Sequence, residues 1–110
     1  MNIKELKLLE DIKTSISSID EHLQHKRDFN LYISNKTIRR AVERELEIIG
    51  EAIGILLKLN PNINISYARQ IVDLRNKVIH AYDNVNNTII WKVIVVDLPV
   101  LKIEVNNLLP

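Results

Sequence analysis

Residues 36–59 read Lys36-Thr37-Ile38-Arg39-Arg40-Ala41-Val42-Glu43-Arg44-Glu45-Leu46-Glu47-Ile48-Ile49-Gly50-Glu51-Ala52-Ile53-Gly54-Ile55-Leu56-Leu57-Lys58-Leu59. At ~3.6 residues per turn, Ile38, Val42, Ile49, Ile53 and Leu56 fall on one stripe, and Ala41, Ile48, Ala52, Ile55 and Leu59 on a second. A long helix that is apolar on two sides belongs in the middle of a bundle. One face goes into its own core, and part of the other is left for a partner, as in a central or dimer-interface helix. Gly50 and Gly54 each cost a helix about 1 kcal/mol relative to alanine, and close approach by a neighbouring helix accounts for them. Glu43, Glu45, Glu47 and Glu51 interleave with Arg39, Arg40 and Arg44 at three- and four-residue spacing, which reads as an ion-paired helix face. Whether Glu47 or Glu51 reaches a functional cleft is open at this point.

On the N-terminal side, Ile3, Leu6, Leu9, Ile12, Ile16, Ile19 and Leu23 recur at spacings of three and four and predict a first amphipathic helix. His22, His25, Lys26 and Arg27 follow at its end, where positive groups complement the helix dipole. Residues 29–35 carry turn-favouring polar members and read as a connector, with Ser34 or Asn35 capping the long helix. On the C-terminal side, Asn60-Pro61-Asn62 ends that helix. Ser66 is then a candidate N-cap for a helix from Tyr67 to about Tyr82, with Ile71, Leu74, Val78 and Ala81 facing the core. Residues 83–87 are turn chemistry. Residues 89–96 are rich in β-branched side chains and favour a strand by propensity. A lone strand would have no pairing partner in so helical a chain, so tertiary context is expected to hold it as a short helix. Asp97 is then expected to cap a last helix with Pro99 in its first turn, carrying Val100, Ile103 and Leu108.

The composition agrees with an all-α domain. The chain has 110 residues, 46% hydrophobic but only 5% aromatic, with Gly 2 and Pro 3, which disfavours a turn-rich β fold. One domain over 1–110 is expected, small enough that a partner subunit would help cover its apolar faces. Fifteen basic and fourteen acidic residues leave a net charge of +1, so any nucleic-acid binding must come from a local patch. Absence of cysteine removes disulfides and thiolate metal sites. Neither a signal-peptide pattern nor an apolar run of ~20 residues is present, and a soluble cytoplasmic protein is expected. Glycine-rich phosphate loops, H-E-x-x-H zinc sites and G-x-S-x-G elbows are absent from the sequence, so no metal or cofactor is expected.

Chemistry concentrates in Leu74-Arg75-Asn76-Lys77-Val78-Ile79-His80-Ala81-Tyr82. On a helix Asn76 and His80 share one stripe, and Arg75 and Tyr82 a neighbouring one. An imidazole that titrates near neutrality can give and take protons, and a guanidinium fork matches phosphate oxygens. Together they suit cleavage of a phosphodiester. The same spacing also arises by chance, and an Arg and a His near a helix end often serve a solvated face or the dipole.

Arg75-Asn76 followed by His80-Ala81-Tyr82 resembles the R-x(4-6)-H signature of HEPN domains, in the R-x-x-x-x-H-x-Y form of the HepT-like branch. Leu46 to Ala52 resembles that branch's central-helix block, and Ile90-Trp91 through Val96-Asp97-Leu98-Pro99 its tail. The resemblance covers about residues 38–109. Ser66-Tyr67 stands where many relatives have Pro-Trp, a departure that bears on the cap and local packing.

The resemblance implies an all-α, up-and-down bundle of four to five helices that dimerises, so that two motif helices form one composite cleft. It implies a metal-independent RNase toxin of a toxin-antitoxin pair, encoded beside a minimal nucleotidyltransferase that neutralises it. His80 would be the general base for attack by a ribose 2′-hydroxyl, and Arg75 would stabilise the phosphoryl charge. Asn76 would orient His80 or donate to phosphate, and Lys77 would add to RNA binding. Tyr82 would accept AMP from the partner, placing phosphate charge beside Arg75. The competing reading is a non-catalytic nucleotide-binding or scaffold subunit of a nucleotidyltransferase complex. A nucleotidyltransferase in its own right lacks its paired carboxylates and glycine-serine turn here.

Overall fold

The long central helix forms as expected. In the computed structural model, which describes the backbone of residues 1–80 and 86–110 and all their side chains except those of Lys77, Ile79 and His80, α3 spans Lys36–Leu59. Helices α1 (Ile3–His22) and α4 (Ala68–His80) pack along it. Val42, Leu46, Ile49, Ile53 and Leu56 are buried, and they share one core with Leu9, Ile12, Ile16 and Ile19 of α1 and Ile71, Leu74 and Val78 of α4. Each such aliphatic side chain contributes roughly 1.5–3 kcal/mol on removal from water, so this three-helix contact dominates the fold. The second stripe of α3 is covered unevenly. Ala52 is buried, Ile48 and Ile55 are half-buried, and Leu59 is exposed.

The ends of these helices follow local chemistry. Asn2 caps α1, its side chain accepting from the Glu5 N–H at 2.8 Å. Gln24 and His25 end it in the left-handed region, at φ 57° and 58°. Two of the basic residues at this end are engaged within the fold: Arg27 reaches back to Asp20 at 2.6 Å, and His22 lies 3.8 Å from Glu45 of α3.

Residues 29–35 are not a plain connector. Phe29–Ser34 form a short helix, α2, capped by Asp28. Phe29 and Tyr32 lie one turn apart and both meet Trp91, at ring-centroid distances of 5.6 and 5.5 Å. Such tilted aromatic contacts add to area burial, and they come from a residue some sixty positions away, which no local pattern reveals. Asn35 caps α3 by accepting from the Ile38 N–H at 3.0 Å, whereas the Ser34 hydroxyl donates to the Asn30 carbonyl instead. Tyr32 is fully buried with its hydroxyl unpartnered; burial, with the Glu43 charge second, pushes its phenol well above the ordinary range.

Residues 89–96 are helical, as tertiary context requires. Asn86 caps α5 (Asn87–Lys92) by accepting from the N–H groups of Thr88 and Ile89. A π-helical turn, Val93–Asp97, carries the chain into α6 (Leu98–Leu108) without a break. Asp97 is therefore not a cap. Its backbone is helical, and its carboxylate, only 2% exposed, receives the Lys92 ammonium at 3.3 Å. Pro99 explains the wider turn: it has no N–H to give Val95, and its ring would press on that carbonyl in a regular helix. The Leu98 N–H donates to Val93 O, one residue farther back than an α-helix allows. That inserted residue rotates α6, so Leu98, Leu101 and Val105 face the core. Val100 and Ile103, expected there, are exposed instead, Ile103 to 62%.

Ser66 also departs from expectation. Helix α4 begins at Ala68, and the Ser66 N–H and hydroxyl both donate to the Glu104 carboxylate, at 2.9 and 2.8 Å. The entry to α4 is thereby tied to α6. Among the described residues there is no strand, and the bundle comprises α1, α3, α4, the continuous α5–α6 rod and the short α2.

Candidate functional site

The position of Arg75 follows from a missing side chain on the facing helix. A β-carbon at Gly50 would lie 2.7 Å from Arg75 Cγ, closer still to Arg75 Cβ, and 3.4 Å from the Ile71 carbonyl oxygen. Glycine thus lets α4 come down on α3 and gives the Arg75 stem a seat on bare backbone, the close approach its spacing suggested. Gly54 differs: a β-carbon there would meet only Val72 Cγ2, at 4.0 Å.

From that seat the Arg75 side chain is half-buried, with Nε fully enclosed and without a hydrogen-bond partner. Its Nη1 donates to Asn76 Oδ1 at 3.0 Å. Two sequence candidates are therefore brought together directly. A guanidinium carries five N–H donors, so one contact to an amide leaves others to meet an anion.

Arg75 forms one end of an open groove of about 460 Å³ between α3 and α4, whose polar lining comprises Glu51, Lys58, Arg69 and Arg75 over the two glycines. Glu51 is the carboxylate that reaches the groove, whereas Glu47 pairs with Arg44 at 3.2 Å on the outer face. Lys58 and Arg69 were not singled out by sequence. Arg69 precedes Arg75 by six residues on the same helix, but Lys58 joins them only through the α3–α4 contact. Among the described residues no cluster of three or more His, Asp or Glu is placed to hold a metal ion, and no helix is long and apolar enough to cross a membrane.

His80 is the last residue of α4, five positions beyond Arg75 and so about 7.5 Å farther along the axis. The expectations for the side chains of Lys77 and His80, and for Tyr82, fall outside the described residues.

Comparison with known proteins agrees with the motif and its setting. The model of the ribonuclease HepT-like family matches residues 12–108. A Methanocaldococcus jannaschii protein named "Putative RNase MJ1380" is 40% identical over 82 residues, covering 71% of this chain and 72% of that protein. A Thermococcus cleftensis protein named "Probable ribonuclease HepT" is 37% identical over 98 residues, covering 86% of each. A Caldanaerobacter subterraneus relative, named "Putative RNase TTE0752", is 35% identical over 83 residues, covering 74% of this chain and 73% of its own length. No solved structure matches. With the α-helical bundle, the Arg75-to-His80 motif on α4 and a match over nearly the whole length, the chain belongs to the ribonuclease HepT-like family of HEPN domains.

Proposed function

We propose that this protein is a metal-independent endoribonuclease, the toxin of a toxin-antitoxin pair, which cleaves RNA by attack of a ribose 2′-hydroxyl on the adjacent phosphate. The observation that carries the reading is Arg75: a guanidinium seated on Gly50, its Nε enclosed, linked to Asn76 and facing an open polar groove. His80 is assigned as general base. It takes the 2′-hydroxyl proton as the new oxygen–phosphorus bond forms, and the bond to the 5′-oxygen breaks with that oxygen taking a proton from water, leaving a 2′,3′-cyclic phosphate and a 5′-hydroxyl. Arg75 offsets the charge that grows on the phosphoryl oxygens. Asn76 holds the guanidinium in orientation, and Lys77 adds positive charge for the RNA strand.

Arg75 and His80 are ~140° apart around one helix, so the cleft is assigned to a homodimer in which each protomer's Arg75 serves its partner's His80. The half-covered second stripe of α3 supports that pairing. A single 2′-deoxy substitution at a cleaved position of an oligoribonucleotide tests the chemistry: that bond is expected to resist cleavage while neighbouring sites are still cut. Cutting at the substituted bond would exclude 2′-hydroxyl attack.

Regulation is assigned to Tyr82, as the acceptor of AMP from a minimal nucleotidyltransferase antitoxin. The added phosphate would compete with RNA for Arg75. Tyr82→Phe is expected to keep RNase activity and to lose silencing by the antitoxin with ATP, read by gel and by intact mass. A Tyr82→Phe protein that still gains AMP and loses activity would refute the assignment.

A further inference from the structure

The groove between α3 and α4 continues past Arg75, and the cleavage chemistry uses only that end. Three cations line it, Lys58, Arg69 and Arg75, against one carboxylate, Glu51. Among the described residues neither Lys58 nor Arg69 takes part in an ion pair, and both are exposed. Surface cations of a near-neutral protein are usually interleaved with acids, as on the outer face of α3; here they are concentrated along one concavity.

Gly54 adds an independent observation. Packing does not require glycine there, since a β-carbon would find only an ordinary contact with Val72. Glycine also weakens a helix. What its absent side chain preserves is the space of the groove, because anything longer than alanine would project into it.

We infer that this groove is a subsite for the RNA backbone, in which Arg69 and Lys58 hold phosphates flanking the one at Arg75, so that the substrate is a single-stranded segment of several nucleotides. Arg69 and Arg75 are six residues apart, about 9 Å along the helix axis, too far to share one phosphate comfortably and suited to separate phosphates of one strand. Lys58 faces them from α3. The occupant assigned to this groove, about 460 Å³ between two helices, is one strand. Which phosphate is scissile rests on the ribonuclease reading, whereas binding in the groove does not.

The test is fluorescence anisotropy with a labelled single-stranded oligoribonucleotide, 2′-O-methylated throughout so that it cannot be cleaved by 2′-hydroxyl attack. Titrations at several salt concentrations are run on the intact chain and on variants whose thermal unfolding matches it. The Lys58→Ala/Arg69→Ala double variant is expected to bind at least tenfold more weakly. Its log-log salt slope should be shallower by about 1.4, at ~0.7 per phosphate contact on a single strand. Gly54→Leu, which keeps every cation, is expected to weaken binding too, and Lys13→Ala, an exposed cation on α1, to leave it unchanged. Wild-type affinity and slope in the double variant would overturn the subsite, as would equal binding of a duplex. Binding through these residues by a protein that cleaves no RNA would keep the subsite and sink the ribonuclease reading instead.

Discussion

Replacing Arg75 with alanine is expected to slow RNA cleavage by about 10²–10³-fold, the loss typical of removing one donor to a developing oxyanion. The guanidinium is well placed for that effect. Its Nε is already out of water and its stem fixed against Gly50, so little ordering remains when substrate binds. Because the charge appears on the phosphoryl oxygens in the transition state, the loss should fall on kcat more than on KM. Arg75→Lys should recover only part of the rate, since a point charge cannot contact Asn76 and a phosphate in one plane. The enclosed Nε has no protein partner, so the alanine variant should unfold close to the wild-type midpoint. Single-turnover kinetics with a defined oligoribonucleotide decide the matter: wild-type rates in Arg75→Ala would leave this residue only a packing role.

Gly50→Ala is expected to damage both fold and activity through one contact. The added methyl would run into Arg75 Cβ and Cγ, atoms tied to the α4 backbone rather than to the loose end of the side chain. Helix α4 must therefore shift. Overpacking of this kind costs roughly 1–3 kcal/mol, offset by about 1 kcal/mol of improved helix propensity, so a modest net loss in urea-unfolding stability is expected. Cleavage should fall by about tenfold or more, because displacement of a catalytic group by an ångström already costs up to ~10² in rate. Gly54→Ala is the comparison. Its methyl makes only ordinary contact with Val72, and its stability should rise. Equal behaviour of the two variants would contradict the seat assigned to Gly50.

The contrast between these glycines marks how far the sequence could be read. Periodicity placed α3 at Lys36–Leu59 and identified the faces of α4 and of α1 from Leu9 onward, although Ile3, counted on the α1 stripe, is exposed; burial on one side of a helix leaves a record every three or four residues. It suggested close approach at both glycines, and only the packed structure separates the one under Arg75 from the one that opens the groove. Local reading failed wherever a distant residue supplied the partner. Trp91 turns Phe29 to Ser34 into a helix, and Glu104 draws Ser66 away from capping. Pro99 was legible as a first-turn residue, but its effect on a helix already running through Asp97 was not. The resulting π turn buries Asp97 and shifts the apolar face of α6. At the site, Arg75 and Asn76 were visible from their spacing. Lys58 and Arg69 were not, since an exposed cation carries no signal until a second helix makes a groove beside it.

The most direct measurement of the central claim incubates purified wild-type and His80→Ala protein with total RNA in EDTA and identifies the fragment ends. Cleavage by wild type alone, leaving 2′,3′-cyclic phosphate and 5′-hydroxyl ends, is the predicted result. Intact RNA, or equal cutting by both proteins, would contradict it and favour a binding or scaffold subunit of a nucleotidyltransferase complex.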